Sequence, residues 1–333
     1  MNFYVGVDVG ASVVRAGICD HEGKMISRAS CPTRIRGRNS LTDTIIRAIR
    51  SQTAVGALKG QVVRICVATV GPLNRRGGII NPANMPKMGY LPLVEPLHDS
   101  FGCEIVLVND CVAAALVERE RGRWAGVQNL TYVSIGTGIG AGVVADGRLL
   151  MGKDGNAHEV GHMVLDCEGR LKCGCGGDGH WEAYCSGSGL PAFMRSIADD
   201  MPKGKLKGSG LYKLTMHSRR SLKATTIFRW AERGDVLAEE VLRRAGWLNA
   251  MGVASVINAY DPEVILFGGG VVLGNWKVLS RHMVPHVGLF TRNRMPVLNL
   301  TSFMDEAPLR GATLIATECE AFEELKPWRY HRV

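Results

Sequence analysis

Apolar and polar positions at the start of the chain predict a β-meander. Short apolar runs over Phe3–Val9, Val13–Cys19 and Lys24–Ser30 are separated by tight turns, a pattern typical of hairpins. The same strand–glycine–strand pattern begins again at Leu130. A pattern that occurs twice predicts a duplicated three-stranded core.

Helical periodicity predicts that helices and further strands accompany these meanders. Apolar residues recur every three or four positions over Ser40–Thr53, Cys111–Arg121, Leu190–Ala198, Ala224–Arg233, Asp235–Ala259 and about Ala307–Leu325. Buried strands are predicted over Val62–Ala68, Glu104–Val108 and Glu263–Phe267. The basic, glycine-rich segment 201–220 predicts an exposed loop.

Composition narrows the class of protein. The 333 residues are 46% hydrophobic and 21% charged, which indicates about two globular domains. The 41 glycines follow no fixed period, so collagen is excluded. No apolar run reaches the roughly 18–20 residues of a membrane span, and no membrane partner is expected.

Charge and cysteine content predict the compartment and the kinds of partner. The net charge of +9 permits an anionic partner, but the basic residues are dispersed and lack interleaved aromatics, so no nucleic acid is expected. Because the first residues do not resemble a signal peptide, the ten cysteines are expected to be reduced thiols or metal ligands. This combination predicts a cytoplasmic protein.

Three glycine-containing turns follow predicted strands and are candidate phosphate sites. Glycine allows backbone N–H groups to approach a phosphate closely. The turns match neither the P-loop nor the dinucleotide-binding fingerprint. Their candidate contact residues are Gly10, Ala11, Ser12, Gly136, Thr137, Gly138, Gly268, Gly269 and Gly270.

A cluster of cysteines and histidines predicts a metal site. Cys173 and Cys175 are separated by one residue, His180 follows, and His162 precedes them by eleven positions. Four nitrogen and sulfur donors are the set that structural Zn²⁺ takes. Cys167 lies close enough in sequence to be an alternative ligand.

Together these motifs resemble the ROK family (repressors, open reading frames, kinases) of actin-like sugar kinases. The resemblance extends from Phe3 to about Ala316 and is strongest to archaeal glucokinase-type members. It is carried by the Asp8-x-Gly10, Asn109-Asp110, Gly136–Gly140 and Gly268–Gly270 motifs, by Glu159-Val-Gly-His162, and by the stretch from Cys173 to Glu182.

The resemblance implies an α/β fold with duplicated βββαβα domains, actin-like and ribonuclease H-like, flanking a cleft. The expected domains are 1–118 and 119–306, the second with the zinc loop and a helical insertion. The helix at about 307–325 is expected to pack back onto the first domain.

The resemblance also implies an ATP-dependent hexose kinase that phosphorylates the 6-hydroxyl of glucose. Asp110 is the expected general base, and Asp8 is expected to orient Mg²⁺ near the phosphates. In the family a cysteine usually stands where this chain has His180. The expected sugar contacts are Gly71, Asn84, Asn109, Asp110, Glu159, His162 and Glu182. The implied partners are ATP, Mg²⁺, structural Zn²⁺ and a second copy of the chain, as a homodimer or homotetramer.

The sequence is compatible with other sugar acceptors and can be weighed against two functions without catalysis. The sugar contacts are largely shared with N-acetylmannosamine, N-acetylglucosamine, fructose and mannose kinases. A ROK repressor carries an N-terminal helix-turn-helix, for which a strand beginning at Phe3 leaves no room. A sugar sensor without catalysis is disfavoured because Asp8 and Asp110 are both present.

Overall fold

The computed structural model describes residues 2–33, 37–53, 60–81, 89–217 and 222–325. The strands are β1 (Asn2–Val9), β2 (Val13–Cys19), β3 (Met25–Pro32), β4 (Gln61–Thr69), β5 (Leu73–Asn74), β6 (Ile79–Ile80), β7 (Leu91–Pro92), β8 (Glu104–Asn109), β9 (Leu130–Ile135), β10 (Ile139–Ala145), β11 (Arg148–Leu149), β12 (Val264–Gly268) and β13 (Val297–Leu300). The helices are α1 (Ser40–Thr53), α2 (Val94–Phe101), α3 (Asp110–Arg121), α4 (Trp181–Cys185), α5 (Leu190–Asp200), α6 (Lys203–Leu206), α7 (Gly210–His217), α8 (Ala224–Ala231), α9 (Val236–Tyr260), α10 (Gly270–Val287) and α11 (Ala307–Glu318).

Two five-stranded sheets repeat one topology. The first has the order β3-β2-β1-β4-β8, and the second has the order β11-β10-β9-β12-β13. In the first sheet, β1 pairs antiparallel with β2 and parallel with β4, which pairs parallel with β8. In the second, β10 pairs antiparallel with β11 and β12 parallel with β13. The predicted duplication of a meander core is therefore confirmed.

The chain divides into two compact units. The first contains residues 1–132, 142–158 and 301–333, and the second contains 133–141 and 159–300. The domain boundaries expected at 118 and 306 stay a prediction.

Helix α9 shows how an apolar face and a cap define the longest helix. Its residues at three- and four-residue spacing, such as Leu237, Val241 and Ala245, are buried, as the periodicity predicts. The carboxylate of Asp235 accepts hydrogen bonds from the N–H groups of Leu237 and Ala238, each at 3.1 Å. Asp235 is therefore the N-cap and not the first helical residue.

The prediction of an exposed loop over 201–220 is wrong for the residues that the structure describes. Helices α6 and α7 lie in this segment, and Leu206 and Leu211 are buried. The hydroxyl of Ser209 donates to Asp235 at 2.8 Å, and the N–H of Leu211 donates to the same carboxylate at 3.1 Å. The basic, glycine-rich composition of the segment gives no indication of these tertiary contacts.

Several other elements differ from the sequence prediction, in which the short strands β5, β6, β7 and β13 and the helix α4 are absent. Helices α2 and α10 were not predicted; α10 begins within the third glycine turn. The predicted helix Ala307–Leu325 ends at Glu318 and continues as the 3₁₀ turns Cys319–Ala321 and Glu323–Leu325. None of the helices in the described ranges is both long and apolar enough to span a bilayer.

Helix α11 packs closely against β1 and α3 within the first unit. A Cβ at Gly311 would lie 1.9 Å from the carbonyl oxygen of Ala113, and a Cβ at Gly6 would lie 2.5 Å from the backbone nitrogen of Thr313. Both glycines are therefore required by the close approach of backbones.

We expect Gly311→Ala to lower the free energy of unfolding by about 3 kcal/mol, because the new methyl group overlaps a backbone carbonyl that cannot move alone. Gly274→Ala in α10 is the matched control, since nothing lies within 4 Å of its Cβ position. The control is expected to keep the stability of the wild type to within about 0.5 kcal/mol, because the added methyl group meets no other atom. Urea denaturation measures both, and equal stability of the two variants would contradict the packing argument.

His158 is a buried titratable residue of the first unit. His158 is 1% exposed, and its Nε2 has no hydrogen-bond partner among the described residues. Burial lowers the pKa of His158 to about 4. The ring is therefore neutral in the folded protein at pH 5, where the unfolded chain binds the proton.

The folded protein should consequently lose stability as the pH falls from about 6.5 towards 4. Between pH 7 and pH 5, His158 is expected to lower the free energy of unfolding by about 2 kcal/mol. We expect His158→Asn to remove this part of the pH dependence in denaturant unfolding. His21→Asn, at an exposed position, should leave it unchanged, and a wild-type slope in His158→Asn would refute the assignment.

Candidate functional site

The carboxyl ends of three parallel strands bring polar residues to one edge of the first sheet. Val9 lies opposite Thr69, and Thr69 lies opposite Asn109. Asp8 is therefore one residue before this row, and Asp110 is one residue after it. Ligands of open α/β sheets bind at this kind of edge.

Asp110 is the first residue of α3. The side chain of Asn109 caps the helix by accepting the N–H of Cys111 at 2.8 Å, and Oδ1 of Asp110 accepts the same N–H at 2.9 Å. Burial raises the pKa of Asp110. Because Asn109 provides the cap, Asp110 is not needed as an ordinary capping residue.

Asp8 is a buried carboxylate near Asp110. It is 7% exposed, and burial together with the charge of Asp110 raises its pKa to about 7. Arg15 opposes this shift, with Nη1 at 3.7 Å from Oδ2 of Asp8. Arg15 is held by Asp305, to whose carbonyl and carboxylate it donates at 2.6 and 3.0 Å.

Arg15 and Asp305 were not identified from the sequence. For Arg15 the predicted hairpin of β1 and β2 was a usable signal, because a hairpin in the observed register places Arg15 directly opposite Asp8. No local signal marks Asp305, which lies 290 residues away from Arg15 along the chain.

The first glycine turn leaves two N–H groups available. The N–H of Gly10 donates to Val13 at 3.0 Å, and Thr33 binds the carbonyl oxygens of Gly10 and Ser12 at 2.8 and 2.9 Å. Among the described residues, the N–H groups of Ala11 and Ser12 have no hydrogen-bond acceptor. Such groups suit an anionic ligand.

The second glycine turn has the same property in the second unit. The carbonyl of Gly136 accepts from Gly187 at 2.8 Å, and the carbonyl of Thr137 accepts from the hydroxyl of Ser188 at 2.7 Å. Within the described part of the chain, the N–H groups of Thr137 and Gly138 have no acceptor. Gly187 and Ser188, which fix the carbonyls, were missed in the sequence.

The third glycine turn lies against the second. Gly269 has φ +85°, and a Cβ there would lie 2.6 Å from the carbonyl group of Ile135. Gly270 begins α10, whose N-terminal N–H groups are suited to a phosphate. The structure thus brings the predicted residues Gly136 and Gly268–Gly270 together.

The four predicted metal ligands also come together. One ligand atom from each of His162, Cys173, Cys175 and His180 lies within 4.8 Å of the others. Cys173 Sγ lies 3.7 Å from His162 Nδ1, and Cys175 Sγ lies 3.3 Å from His180 Nδ1. Cys167 is exposed and outside this group.

The chemistry of this group fits a soft divalent cation. Burial raises the pKa of the Cys173 thiol to about 12, so its thiolate requires a compensating positive charge. Two sulfur and two imidazole donors at these separations match the preference of zinc for four N and S ligands.

Residues that the sequence did not indicate hold the metal-site loop. The carboxylate of Asp166 accepts the hydroxyl of Tyr184 at 2.6 Å and the N–H of Arg170 at 3.2 Å. The hydroxyl oxygen of Tyr184 in turn accepts the N–H of Leu171 at 3.0 Å. These bonds fix the chain before Cys173.

Glu182 connects the metal site with the second glycine turn. One carboxylate oxygen accepts the N–H of Ile139 at 2.7 Å, and the other lies 3.5 Å from Sγ of Cys173. The preceding Trp181 is fully buried and donates to Asn249 at 2.8 Å. Glu182 is therefore oriented by its neighbours.

The expected sugar contacts fall into three groups. Gly71, Asn109 and Asp110 lie in the first unit, whereas Glu159, His162 and Glu182 lie in the second. Nε2 of His162 lies 3.6 Å from Oε2 of Glu159, while its Nδ1 faces Cys173. Asn84 lies outside the described residues.

Comparisons with known proteins agree with these motifs. The ROK family model matches residues 4–319. A glucokinase of Pyrobaculum calidifontis is 34% identical over 332 residues, covering 99% of both chains. A glucokinase of Aeropyrum pernix is 36% identical over 320 residues, covering 94% of this chain and 96% of that protein.

A solved structure shows the same fold. It is a ROK family glucokinase from Streptomyces griseus in complex with glucose and AMPPNP, with a TM-score of 0.75 and 25% identity. The match covers 94% of this chain and 99% of that one. The chain therefore belongs to the ROK family and has the actin-like ATPase fold of its sugar kinases.

Proposed function

We propose that the protein is an ATP-dependent hexose kinase that transfers the γ-phosphoryl group of ATP to the 6-hydroxyl of glucose. The observation that carries this proposal is the pair of carboxylates, the buried Asp8 and the half-buried Asp110, at the carboxyl edge of the parallel strands. The identity to archaeal glucokinases over nearly the whole chain supports glucose as the substrate.

Asp110 acts as the general base. It takes the proton of the 6-hydroxyl as the new O6–P bond forms and the bond from phosphorus to the β-phosphate oxygen breaks, which releases ADP. Its raised pKa makes the carboxylate a stronger base than an exposed one. The hydrogen bond from the N–H of Cys111 fixes the orientation of this carboxylate.

Asp8 is the residue that would hold Mg²⁺ and its waters. A buried carboxylate with a raised pKa near a second carboxylate is stabilised in its charged form by a divalent cation. The cation supplies charge neutralisation for the phosphates. Within the part of the chain that the structure describes, the N–H groups of Ala11 and Ser12, and those of Thr137 and Gly138, have no acceptor, which supports phosphate binding at each of these turns.

His162, Glu159 and Glu182 form the sugar-binding part of the second unit. Nδ1 of His162 faces Cys173, and its Nε2 faces Glu159. Zn²⁺ would be held by His162, Cys173, Cys175 and His180, and with four protein ligands it has a structural role. Ligation by these four residues would order the loop that carries Glu159, His162 and Glu182.

The proposal includes a cytoplasmic homodimer or homotetramer. No two of the ten cysteines, all of which lie in the described ranges, form a disulfide, as expected in a reducing compartment. N-acetylmannosamine, N-acetylglucosamine, fructose and mannose remain alternative acceptors, because the expected contacts are shared. An ADP-release assay with each of these sugars distinguishes the possible acceptors. If none of the sugars is phosphorylated, the result would favour a sugar sensor without catalysis.

Asp110→Asn is expected to lower kcat at least about 10³-fold while the Kd for glucose changes less than about threefold, because the amide cannot accept the hydroxyl proton. Steady-state kinetics and calorimetry measure the two quantities. The control is Asp99→Asn, an exposed residue of α2, which should retain full activity. A near wild-type kcat in Asp110→Asn would overturn the role of Asp110.

Purified protein is expected to contain about one equivalent of zinc. Cys175→Ser should reduce this below about a third of an equivalent and lower the melting temperature, because a three-ligand site holds the metal weakly. Cys167→Ser should retain the metal, since Cys167 lies outside the cluster. Full activity with less than a tenth of an equivalent in the wild type would refute the site.

A further inference from the structure

The side chain of Asn156 pairs with both backbone groups of one distant residue. Its Oδ1 accepts the N–H of Leu73 at 2.7 Å, and its Nδ2 donates to the carbonyl of Leu73 at 2.7 Å. The two residues are 83 positions apart and belong to the first unit. A side-chain amide thereby occupies the place of a neighbouring strand beside β5.

A second link shows that this pairing is part of a longer contact. The N–H of Arg75 donates to the carbonyl of Asp154 at 3.4 Å, so residues 154–156 run antiparallel to residues 73–75. Gly155 lies between the two links with φ +88°, and a Cβ there would be 2.7 Å from Cδ of Arg75. Only glycine allows this approach without strain.

The other edge of β5 pairs with β6. Leu73 lies opposite Ile80, and the carbonyl of Pro72 accepts the N–H of Asn81 at 3.0 Å. Alternate residues of the strand therefore direct their backbone groups to opposite sides. Since Leu73 follows Gly71 by two residues, its position limits where the backbone of Gly71 can lie.

We propose that Asn156 is a positioning residue for sugar binding, which holds the Gly71–Leu73 segment through its two hydrogen bonds to Leu73. This inference rests on the proposed function and on the prediction from the sequence that Gly71 contacts the sugar. Asn156 itself does not contact the substrate. Glu159, another expected sugar contact, follows it by three residues in the chain.

The energetic consequence follows from the burial of Leu73, which is 4% exposed. Without Asn156, the N–H and carbonyl groups of Leu73 lose their partners in a largely dry environment, and the segment must shift to reach water. A displaced Gly71 weakens sugar binding but leaves the glycine turns that would bind ATP unchanged. The effect should therefore appear in the KM for glucose.

The test compares Asn156→Ala, Asn156→Asp and the control Asn74→Ala. Asn74 lies in the same strand, and among the described residues its side chain accepts only the local N–H of Gly77, at 2.8 Å. For Asn156→Ala we expect the KM for glucose to rise about tenfold, with kcat within about threefold and the KM for ATP within about twofold. Asn74→Ala should stay within about twofold in all three.

Hydrogen exchange of the Leu73 amide separates positioning from a general loss of structure. Asn156→Asp retains the acceptor for this N–H but loses the donor to the carbonyl. Its Leu73 amide should stay protected, and its KM for glucose should lie between those of the wild type and Asn156→Ala. In Asn156→Ala the amide should exchange faster. The Asp variant keeps the test valid if the Ala variant does not fold.

Three results would overturn the inference. They are an unchanged glucose KM in both Asn156 variants, an equal rise in the KM for ATP, or an equal rise of the glucose KM in Asn74→Ala. A wild type that binds glucose by calorimetry without transferring phosphate would refute the proposed function alone, and the Kd values of the variants would then test Asn156. A wild type that binds no glucose refutes both.

Discussion

The parallel register of β1, β4 and β8 is the constraint on which the candidate chemistry of the first unit depends. It aligns Val9, Thr69 and Asn109 in one row, so that the chain leaves all three strands at the same edge. A slip of one residue would turn each side chain to the opposite face. Asp8 would then point into a different layer, and its interaction with Asp110 would be lost.

Burial of charge at this edge has a cost that the rest of the first unit must offset. Desolvation raises the pKa of both Asp8 and Asp110, which means that their ionised forms destabilise the folded chain. Arg15, held by Asp305, lowers that cost at Asp8. The same burial makes the pair suitable for binding a cation and for accepting a proton, so stability and function oppose each other here.

In the second unit, one carboxylate joins three features that the sequence presents separately. Glu182 contacts the backbone at the start of β10 and the thiol of Cys173, and the buried Trp181 beside it is fixed by Asn249. The glycine turn, the metal ligands and the helical core are thus mechanically connected. A displacement of the metal ligands should therefore also displace the backbone of the glycine turn.

The sequence by itself determined the strands of both meanders, most helices, the glycine turns and the four metal donors, because these depend on local periodicity and short spacings. It did not reveal α6 and α7, which lie on either side of Ser209, a residue held by its hydrogen bond to Asp235. It also did not reveal Arg15 with Asp305, or Asn156 with Leu73. These pairs join residues up to 290 positions apart, and only the tertiary structure decides which polar groups of such distant segments come within hydrogen-bonding distance.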